Sequence, residues 1–271
     1  MKKSFSLSAS YAAIWFSFLI AFSLTAFGEV SLPAAVTSFS QAYSGTDGYW
    51  GECDMGTYGC RDSLSISGCL ITSFAMVLDY YGIDLSISRE YACDNRDHTG
   101  MDPGILNDWL KLRGGYGKCG DEPGNCCLRW DHLPSQISTT TYENRSEDGL
   151  DSKAELIIER ALLDGYPVVC GVHWGEHCNW SLTENEDCHW VVITGKRGST
   201  YEIIDPYNEN TADRHGLRTT LDQGALGSYT IDRYVVIRGE TLNVGLHDLR
   251  LSLQFNPEGT GTFQDLSLIH I

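Results

Sequence analysis

The chain has 271 residues, enough for one large domain or for one domain and the beginning of a second. Apolar residues make up 42% of it, so a packed core is expected. With 19 Lys and Arg against 36 Asp and Glu, the formal net charge is −17. A surface this acidic repels nucleic acid and anionic lipid, so the charge argues against a nucleic-acid-binding protein.

The first 28 residues have the pattern of a secretory signal peptide. Two lysines precede an uncharged apolar stretch from Tyr11 to Phe27, and Ala26-Phe27-Gly28 follows the small-x-small rule of a cleavage site. The alternative is a membrane anchor, but a spanning helix needs about 20 apolar residues, and this stretch is shorter and interrupted by serines. We therefore expect residues 1–28 to be removed and the protein to be secreted or periplasmic, meeting the membrane only through this segment.

Ten cysteines fit an exported protein, because disulfides persist in oxidising compartments. If one of the ten is a working thiol, nine remain, and an odd number leaves at least one more cysteine unpaired or bridged to another chain. The spacing does not give the connectivity.

Residues 29–66 are rich in Gly, Ser and Tyr and predict an irregular segment. From Cys69 to Tyr81 apolar residues recur at helical spacing around most of the circumference, which predicts a buried helix that ends at Gly82.

Two further helices and a long loop follow. One helix is predicted from Pro103 to Leu112, before Gly114-Gly115. The segment 116–149 is rich in Cys, Gly and Asp and predicts a loop. Ser152-Lys-Ala-Glu155 is a capping box, which predicts a helix running to about Asp164.

The rest of the chain is rich in β-formers. Gly198-Ser199 lies between the second and third predicted strands and indicates a hairpin. Helices first and an antiparallel sheet second make an α+β plan. The predicted strands are Tyr166–Val172, His189–Thr194, Tyr201–Ile204 and Tyr229–Ile237.

Cys69 follows Gly68 at the first turn of the buried helix. Unpaired N–H groups at a helix N-terminus favour an anion there, and the thiolate is the reactive form of cysteine. Gly68 has no side chain, so we expect it to let a substrate backbone approach. The alternative is a disulfide half or a small core residue.

His189 begins one predicted strand, and Asp205 ends the next, before Pro206. Two antiparallel strands joined by a hairpin bring these side chains to one sheet edge. An aspartate there accepts the imidazole N–H, fixes its tautomer and stabilises the imidazolium. Alone, His189 reads as an ordinary surface histidine and Asp205 as a turn residue; together with Cys69 they predict a nucleophilic triad.

The same residues carry a resemblance to a known family. The string Gly68-Cys69-Leu-Ile-Thr-Ser-Phe-Ala-Met-Val-Leu-Asp-Tyr-Tyr-Gly82 resembles the nucleophile helix of the bacteriocin-processing, double-glycine type cysteine peptidases and their secreted relatives. The remaining blocks match in order over about residues 38–240. They are Thr99-Gly-Met-Asp-Pro-Gly104, Gly165-Tyr-Pro167-Val-Val, His189-Trp-Val-Val-Ile-Thr-Gly195 and Tyr201-Glu-Ile-Ile-Asp205-Pro206.

The resemblance implies a papain-like α+β fold, peptide-bond hydrolysis by a Cys69–His189–Asp205 triad, a peptide or protein substrate, and neither metal nor cofactor. It also implies a glutamine upstream of the nucleophile as oxyanion donor, and Gln41 is the upstream glutamine. The alternative for Gln41 is an ordinary surface residue.

Other functions compete for these residues. Zinc ligation is one, with a disulfide between Cys178 and Cys188 as the alternative use of those two residues. A disulfide-rich binding module in which Cys69 is paired is another. An amidase or amide-transfer enzyme with the same triad is a third. The candidate zinc ligands are His173, His177, Cys178, Cys188 and His189.

The expected layout is a signal peptide at 1–28 and a papain-like peptidase domain at 29–240. Residues 241–265 alternate weakly and are expected to begin a β-rich region. Residues 266–271 look like a translated sequencing adapter, so the natural chain is expected to continue past about residue 265.

Overall fold

The computed structural model describes residues 29–45, 49–57, 60, 62–118, 124–143, 150–175 and 188–239. The predicted signal peptide at 1–28, the β-rich region at 241–265 and the segment 266–271 lie outside them and stay predictions.

The described residues form one antiparallel seven-stranded sheet and two short hairpins. The sheet has the order β10-β9-β8-β7-β11-β6, with β1 added beside β8. β2 pairs with β3, and β4 pairs with β5. The strands are β1 (Val30–Ser31), β2 (Leu85–Ile87), β3 (His98–Gly100), β4 (Tyr116–Gly117), β5 (Cys127–Leu128), β6 (Ile137–Glu143), β7 (Val168–His173), β8 (Cys188–Arg197), β9 (Thr200–Asp205), β10 (Leu217–Thr220) and β11 (Thr230–Gly239).

The predicted hairpin between β8 and β9 is present. Gly198 takes a φ of 63°, which a glycine adopts without steric cost. The strands on either side pair antiparallel, from Arg197 opposite Thr200 to Val192 opposite Ile204. This register brings the beginning of β8 and the end of β9 to the same edge of the sheet.

Four α-helices are described, and three of them were predicted. Gly82, Gly114 and Gly165 all have positive φ just after a helix end, as left-handed C-terminal stops require. The helices are α1 (Leu64–Ser67), α2 (Cys69–Tyr80), α3 (Pro103–Leu112) and α4 (Ser152–Leu163).

Helix α2 packs against β8 in the centre of the core. Phe74 and Met76 are fully buried, and Ser73 Oγ donates to the Trp190 carbonyl at 3.2 Å. Because α2 is apolar on most of its surface, it is enclosed by the sheet and by α3. This contact brings the first turn of α2 close to the first residues of β8.

Two local predictions were wrong. The N-cap of α4 is Asp151, whose carboxylate accepts the Ala154 N–H at 2.7 Å, and Ser152 is the first helical residue. The segment 116–149 is not simply a loop, because it contains β4, β5 and β6. The polar run Ile137–Glu143 forms the edge strand beside β11, where Thr, a β-branched residue, is well suited.

No helix within the described residues is both long and apolar enough to cross a membrane.

Candidate active site

Cys69 is the first residue of α2, and its thiol is free. The helix begins with the bond from the Thr72 N–H to the Gly68 carbonyl, 2.8 Å long. The N–H groups of the first turn have no acceptor inside the helix, so they favour negative charge on the sulfur. Because the Cys69 thiol is free, the alternative in which Cys69 forms a disulfide is wrong.

Gly68 is required by the fold itself, and its expected role in substrate approach stays a prediction. A Cβ at this position would lie 2.3 Å from the Leu64 carbonyl oxygen, which is backbone. Its φ of −83° is ordinary. Glycine is thus needed because α1 and α2 meet closely within the chain, before any substrate is considered.

His189 and Asp205 form a buried pair where β8 begins and β9 ends. His189 Nε2 lies 2.7 Å from Asp205 Oδ1, and Asp205 is fully buried. A carboxylate only accepts, so Nε2 carries the proton in this bond. The ring has one other nitrogen, Nδ1, and the Cys69 side chain acts on this histidine at short range, because it is among the groups that raise the pKa of His189.

The Asp205 carboxylate is held by four donors. Oδ1 accepts from His189 Nε2 and from the Tyr207 backbone N–H at 2.9 Å. Oδ2 accepts from the Tyr229 hydroxyl at 2.7 Å and from the Ala225 backbone N–H at 3.0 Å. These four bonds use its acceptor positions and leave it little freedom to rotate.

The electrostatics favour a charged pair. Burial opposes the imidazolium, but the hydrogen bonds to Asp205 and Cys69 and the charges of both groups outweigh it and raise the pKa of His189 to about 10. Burial likewise opposes the Asp205 carboxylate, but His189, the Tyr229 hydroxyl and the Ala225 N–H together lower its pKa. At neutral pH the pair is therefore imidazolium and carboxylate.

Gln41 is not a surface residue. It is almost completely buried, and its Nε2 donates to the carbonyl of Ser65 at 2.9 Å, in α1, the short helix that leads into α2. Its backbone N–H donates to the Pro206 carbonyl at 2.9 Å, next to Asp205. Gln41 thus joins the two segments that carry Cys69 and Asp205.

A cleft of about 1000 Å³ opens over these groups. It contains Gln41, Cys69 and His189 in its wall. Much of the remaining lining is aromatic or aliphatic, and it includes Trp130, Trp174 and Leu226. The predicted nucleophile, base and oxyanion donor therefore face one shared space, large enough for an extended peptide segment.

Disulfide-bonded cysteines form part of the cleft lining. Cys53 is bonded to Cys93 and Cys60 to Cys126, while Cys127 and Cys188 are also disulfide-bonded. Cys126, Cys127 and Cys188 all line the cleft. Among the described cysteines, Cys69 and the buried Cys170 are free.

The residues considered as zinc ligands have other partners where they are described. His173 Nδ1 lies 3.0 Å from Asp232 Oδ2 in a buried pair, and Cys188 is held in a disulfide. His177 and Cys178 lie outside the described residues, and so does the predicted bond between Cys178 and Cys188. No cluster of three or more His, Cys, Asp or Glu placed to hold a metal occurs among the residues described.

Two residues of the site were not predicted. Tyr229 binds Asp205 directly, and the Trp174 ring meets the His189 ring edge-on with centroids 6.4 Å apart. Tyr229 was recognised as the beginning of a strand, but nothing in its neighbours shows which carboxylate its hydroxyl reaches. Trp174 directly follows the predicted buried strand β7, and this position was the sequence signal from which its place in the site could have been predicted.

The fold and the site define a class. A helix that begins with a free thiol lies on an antiparallel sheet, and two adjacent strands of that sheet present an imidazole and a carboxylate. This is the α+β, papain-like arrangement predicted from the sequence.

The comparison with protein-family models agrees with this class. The model of the Peptidase_C39 like family matches residues 39–233, and the chain belongs to this family. It is therefore a cysteine peptidase by family, with a peptide or protein as its substrate, which confirms the resemblance found in the sequence. No curated protein matches the chain. Among solved structures, the active wild-type interpain A cysteine protease of Prevotella intermedia matches at 14% identity with a TM-score of 0.38, over 78% of this chain and 94% of that chain.

Proposed function

We propose that this protein is an exported cysteine peptidase that hydrolyses peptide bonds, with Cys69 as nucleophile, His189 as acid and base, and Asp205 as the orienting carboxylate. The observation that carries the proposal is the buried His189–Asp205 hydrogen bond at a cleft that the free Cys69 thiol also lines. A thiol paired with a histidine that a third group orients is the arrangement that nucleophilic catalysis needs.

The first step forms a thioester. Because the pKa of His189 is raised to about 10, the ring accepts the Cys69 proton on Nδ1 and keeps its own on Nε2, facing Asp205. The thiolate attacks the peptide carbonyl carbon, and a Cys69 Sγ–C bond forms. The Nδ1 proton then passes to the leaving amine as the C–N bond breaks.

The second step releases the acid product. Neutral His189 takes a proton from water on Nδ1, and the hydroxide oxygen bonds to the thioester carbon. When the Sγ–C bond breaks, the product leaves as a carboxylic acid and the sulfur leaves as thiolate beside the imidazolium. Asp205 keeps the same ring orientation in both steps, because its four hydrogen bonds fix it.

The oxyanion formed in each step needs donors. The Cys69 backbone N–H at the beginning of α2 and the Gln41 side-chain amide are the donors we propose. One Gln41 Nε2 hydrogen is bonded to the Ser65 carbonyl, and the amide has a second. Loss of one oxyanion donor typically costs roughly 10²–10³ in rate.

Export is part of the proposal. The two fully described disulfides, and the bonded state of Cys127 and Cys188, are compatible with an oxidising compartment. The expected signal peptide at 1–28 would deliver the chain there. N-terminal sequencing of protein recovered outside the cytoplasm of an expressing cell tests this part, and a chain that keeps residues 1–28 would contradict it.

Catalysis is tested with fluorescein-labelled casein as the substrate. We expect the wild-type chain to cleave it and Cys69→Ala to lose cleavage while keeping the wild-type circular dichroism spectrum. Cys170→Ala is the matched control, because it removes the second of the two free thiols found in the described part of the chain, which is buried in β7. It should retain activity.

The result that would end the proposal is casein cleavage by Cys69→Ala at the wild-type rate. Mass spectrometry of the products separates the reactions that share this triad. New peptide chain termini support hydrolysis, whereas casein modified on glutamine side chains would assign amide transfer instead.

A further inference from the structure

The carboxylate of Asp205 is oriented by a second side chain besides His189. The Tyr229 hydroxyl donates to Asp205 Oδ2 at 2.7 Å, on the oxygen that does not face the imidazole. The other donor to Oδ2 is the Ala225 backbone N–H. Among the described residues, Tyr229 is therefore the side chain that sets the position of this oxygen.

The direction of this hydrogen bond follows from its neighbours. The Leu226 backbone N–H lies 3.1 Å from the Tyr229 hydroxyl oxygen and donates to it. The hydroxyl hydrogen is then directed to the carboxylate, which can only accept. Donors thus point in one sense, from Leu226 through Tyr229 to Asp205, and each bond in such a series strengthens the next.

The tyrosine ring occupies a site that the chain has shaped for it. A Cβ on Gly224 would lie 2.0 Å from Tyr229 Cε2, so only glycine leaves room for the ring. The Tyr229 backbone N–H donates to the Leu221 carbonyl at 2.8 Å. The ring centroid lies 6.0 Å from that of His189 and 6.1 Å from that of Trp174, so it also packs beside the imidazole.

We propose that Tyr229 is a positioning residue of the active site, which holds Asp205 ionised and in the one rotation that orients His189 toward Cys69. The inference rests on the proposed function in treating Asp205 as the orienting group. It adds a fourth side chain to the triad, which acts on the reacting atoms only through Asp205 and His189.

The charge balance is consistent with this role. Burial, with the charge of Asp205 next, raises the pKa of Tyr229, so its hydroxyl remains a donor throughout the working pH range. Burial has the largest effect on the pKa of Asp205 and raises it. The interactions with His189 lower this pKa, and the hydrogen bond from Tyr229 lowers it further. Removing the hydroxyl therefore favours protonated Asp205 at a higher pH than in the wild type.

The test is Tyr229→Phe, which keeps the ring and removes only the hydroxyl. The first readout is the rate at which iodoacetamide alkylates Cys69 as a function of pH, followed by mass spectrometry of the Cys69 peptide. We expect the lower edge of this profile to move to higher pH, because the imidazolium beside the thiolate loses part of its counter-charge. The second readout is kcat/KM for labelled casein, which should fall about tenfold.

Tyr81→Phe is the matched control. The Tyr81 hydroxyl is also buried and donates at 2.7 Å, but to the Ile237 carbonyl at the far end of α2 from Cys69. It should leave the alkylation profile and kcat/KM unchanged, while both variants lower the melting temperature. A purely structural role for Tyr229 would give Tyr229→Phe the same result as this control.

A double-mutant cycle with Asp205→Asn completes the test. If Tyr229 acts through Asp205, Tyr229→Phe has no further effect on either readout in the Asp205→Asn background. The proposal is overturned if Tyr229→Phe leaves the alkylation profile in place, or if it lowers the rate by the same factor in both backgrounds. Because alkylation needs no peptide, a wild-type chain that fails to cleave casein would refute the proposed function and still leave Tyr229 testable.

Discussion

The two walls of the cleft are held in place by different means. The sheet wall, named for the paired strands β7, β8, β9 and β11, contributes residues such as His189 and Arg233 to the cleft, and every residue of β7 is buried. The pairs β8–β9 and β7–β11 each contain one register shift. The cross-linked wall, residues 49–57, 60 and 124–134, contains a two-residue strand and isolated bridges. The Cys60–Cys126 disulfide joins its two parts, and the Cys53–Cys93 disulfide joins it to the segment between β2 and β3.

If the proposed function is right, this difference should separate chemistry from substrate contact. His189 and Asp205 are carried by paired strands, so their distance is set by backbone hydrogen bonds and buried apolar side chains. The cross-linked wall contributes cleft residues such as Leu128 and Trp130. It has little regular structure, and the Cys60–Cys126 disulfide joins its two parts. The sheet wall should thus determine rate, and the cross-linked wall should determine binding.

The largest expected effect comes from breaking the buried pair in the sheet wall. Asp205→Asn leaves His189 buried without its carboxylate, which costs about 3 kcal/mol of unfolding free energy. Because the pKa of His189 is raised to about 10, its contribution is complete below 6.5 and is lost as the pH rises through about 10. Asp205, whose pKa is lowered, contributes to the free energy of unfolding above about pH 3.8, and this contribution is lost as the pH falls through the pKa of Asp205 in the folded protein.

The stability difference between wild type and Asp205→Asn should therefore be greatest between about pH 4 and 6.5 and should narrow toward pH 10. Urea titrations at several pH values measure it. Asp164→Asn is the control, because Asp164 pairs with Arg160 on the surface, where such a pair contributes at most about 1 kcal/mol. A difference that stays constant with pH would show that the pair is not charged.

An intermediate effect is expected in the cross-linked wall. Replacing Cys60 and Cys126 together by alanine should lower the free energy of unfolding by roughly 2–4 kcal/mol. It should also raise KM for labelled casein more than it lowers kcat, since Cys126 lines the cleft.

The bond between Cys53 and Cys93 is the matched comparison. Its partners are 40 residues apart, against 66 for Cys60 and Cys126, so its double alanine variant should lose about half a kcal/mol less stability. Neither Cys53 nor Cys93 is part of the cleft lining, and KM should change little. Equal changes of KM in the two variants would refute the separation of the walls.

The smallest expected effect concerns the N-terminal caps of helices α3 and α4. Asp151 caps α4 beside the sheet, and Asp102 caps α3, each through a hydrogen bond to a backbone N–H. Asp151→Ala should cost about 1 kcal/mol, and Asp102→Ala less. The reason is that burial raises the pKa of Asp102 and so opposes its charged form. Thermal melts of the two variants at neutral pH compare them, and a larger loss for Asp102→Ala would contradict this reasoning.

The sequence predicted the elements whose signals are local and continuous. The helix that begins at Cys69 was identified from its apolar periodicity, and the hairpin around Gly198 was identified from its glycine turn. Each of these signals lies within a short stretch of consecutive residues. His189 and Asp205 could be placed together for the same reason, since a hairpin fixes the edge at which its two strands begin and end.

The missed features depend on contacts between distant segments. The strand β6 is polar and becomes a strand by pairing with β11, nearly a hundred residues further along the chain. Tyr229 reaches Asp205 only because the turn at 224–227 takes one particular path. The requirement for Gly68 is likewise set by the Leu64 carbonyl. None of these has a sequence pattern of its own.

The half-cystines along the cleft have a practical consequence for handling the protein. A nucleophilic thiolate attacks disulfide sulfur as readily as any added thiol does, and exchange depends on access. Cys127 is exposed and oxidised in the same cleft as Cys69. Reductant should protect the sulfur at the beginning of α2 from oxidation, but at higher concentration it should open the disulfides whose cysteines line the cleft. Purification buffers for this protein must therefore keep the Cys69 thiol reduced while leaving the disulfides along the cleft intact.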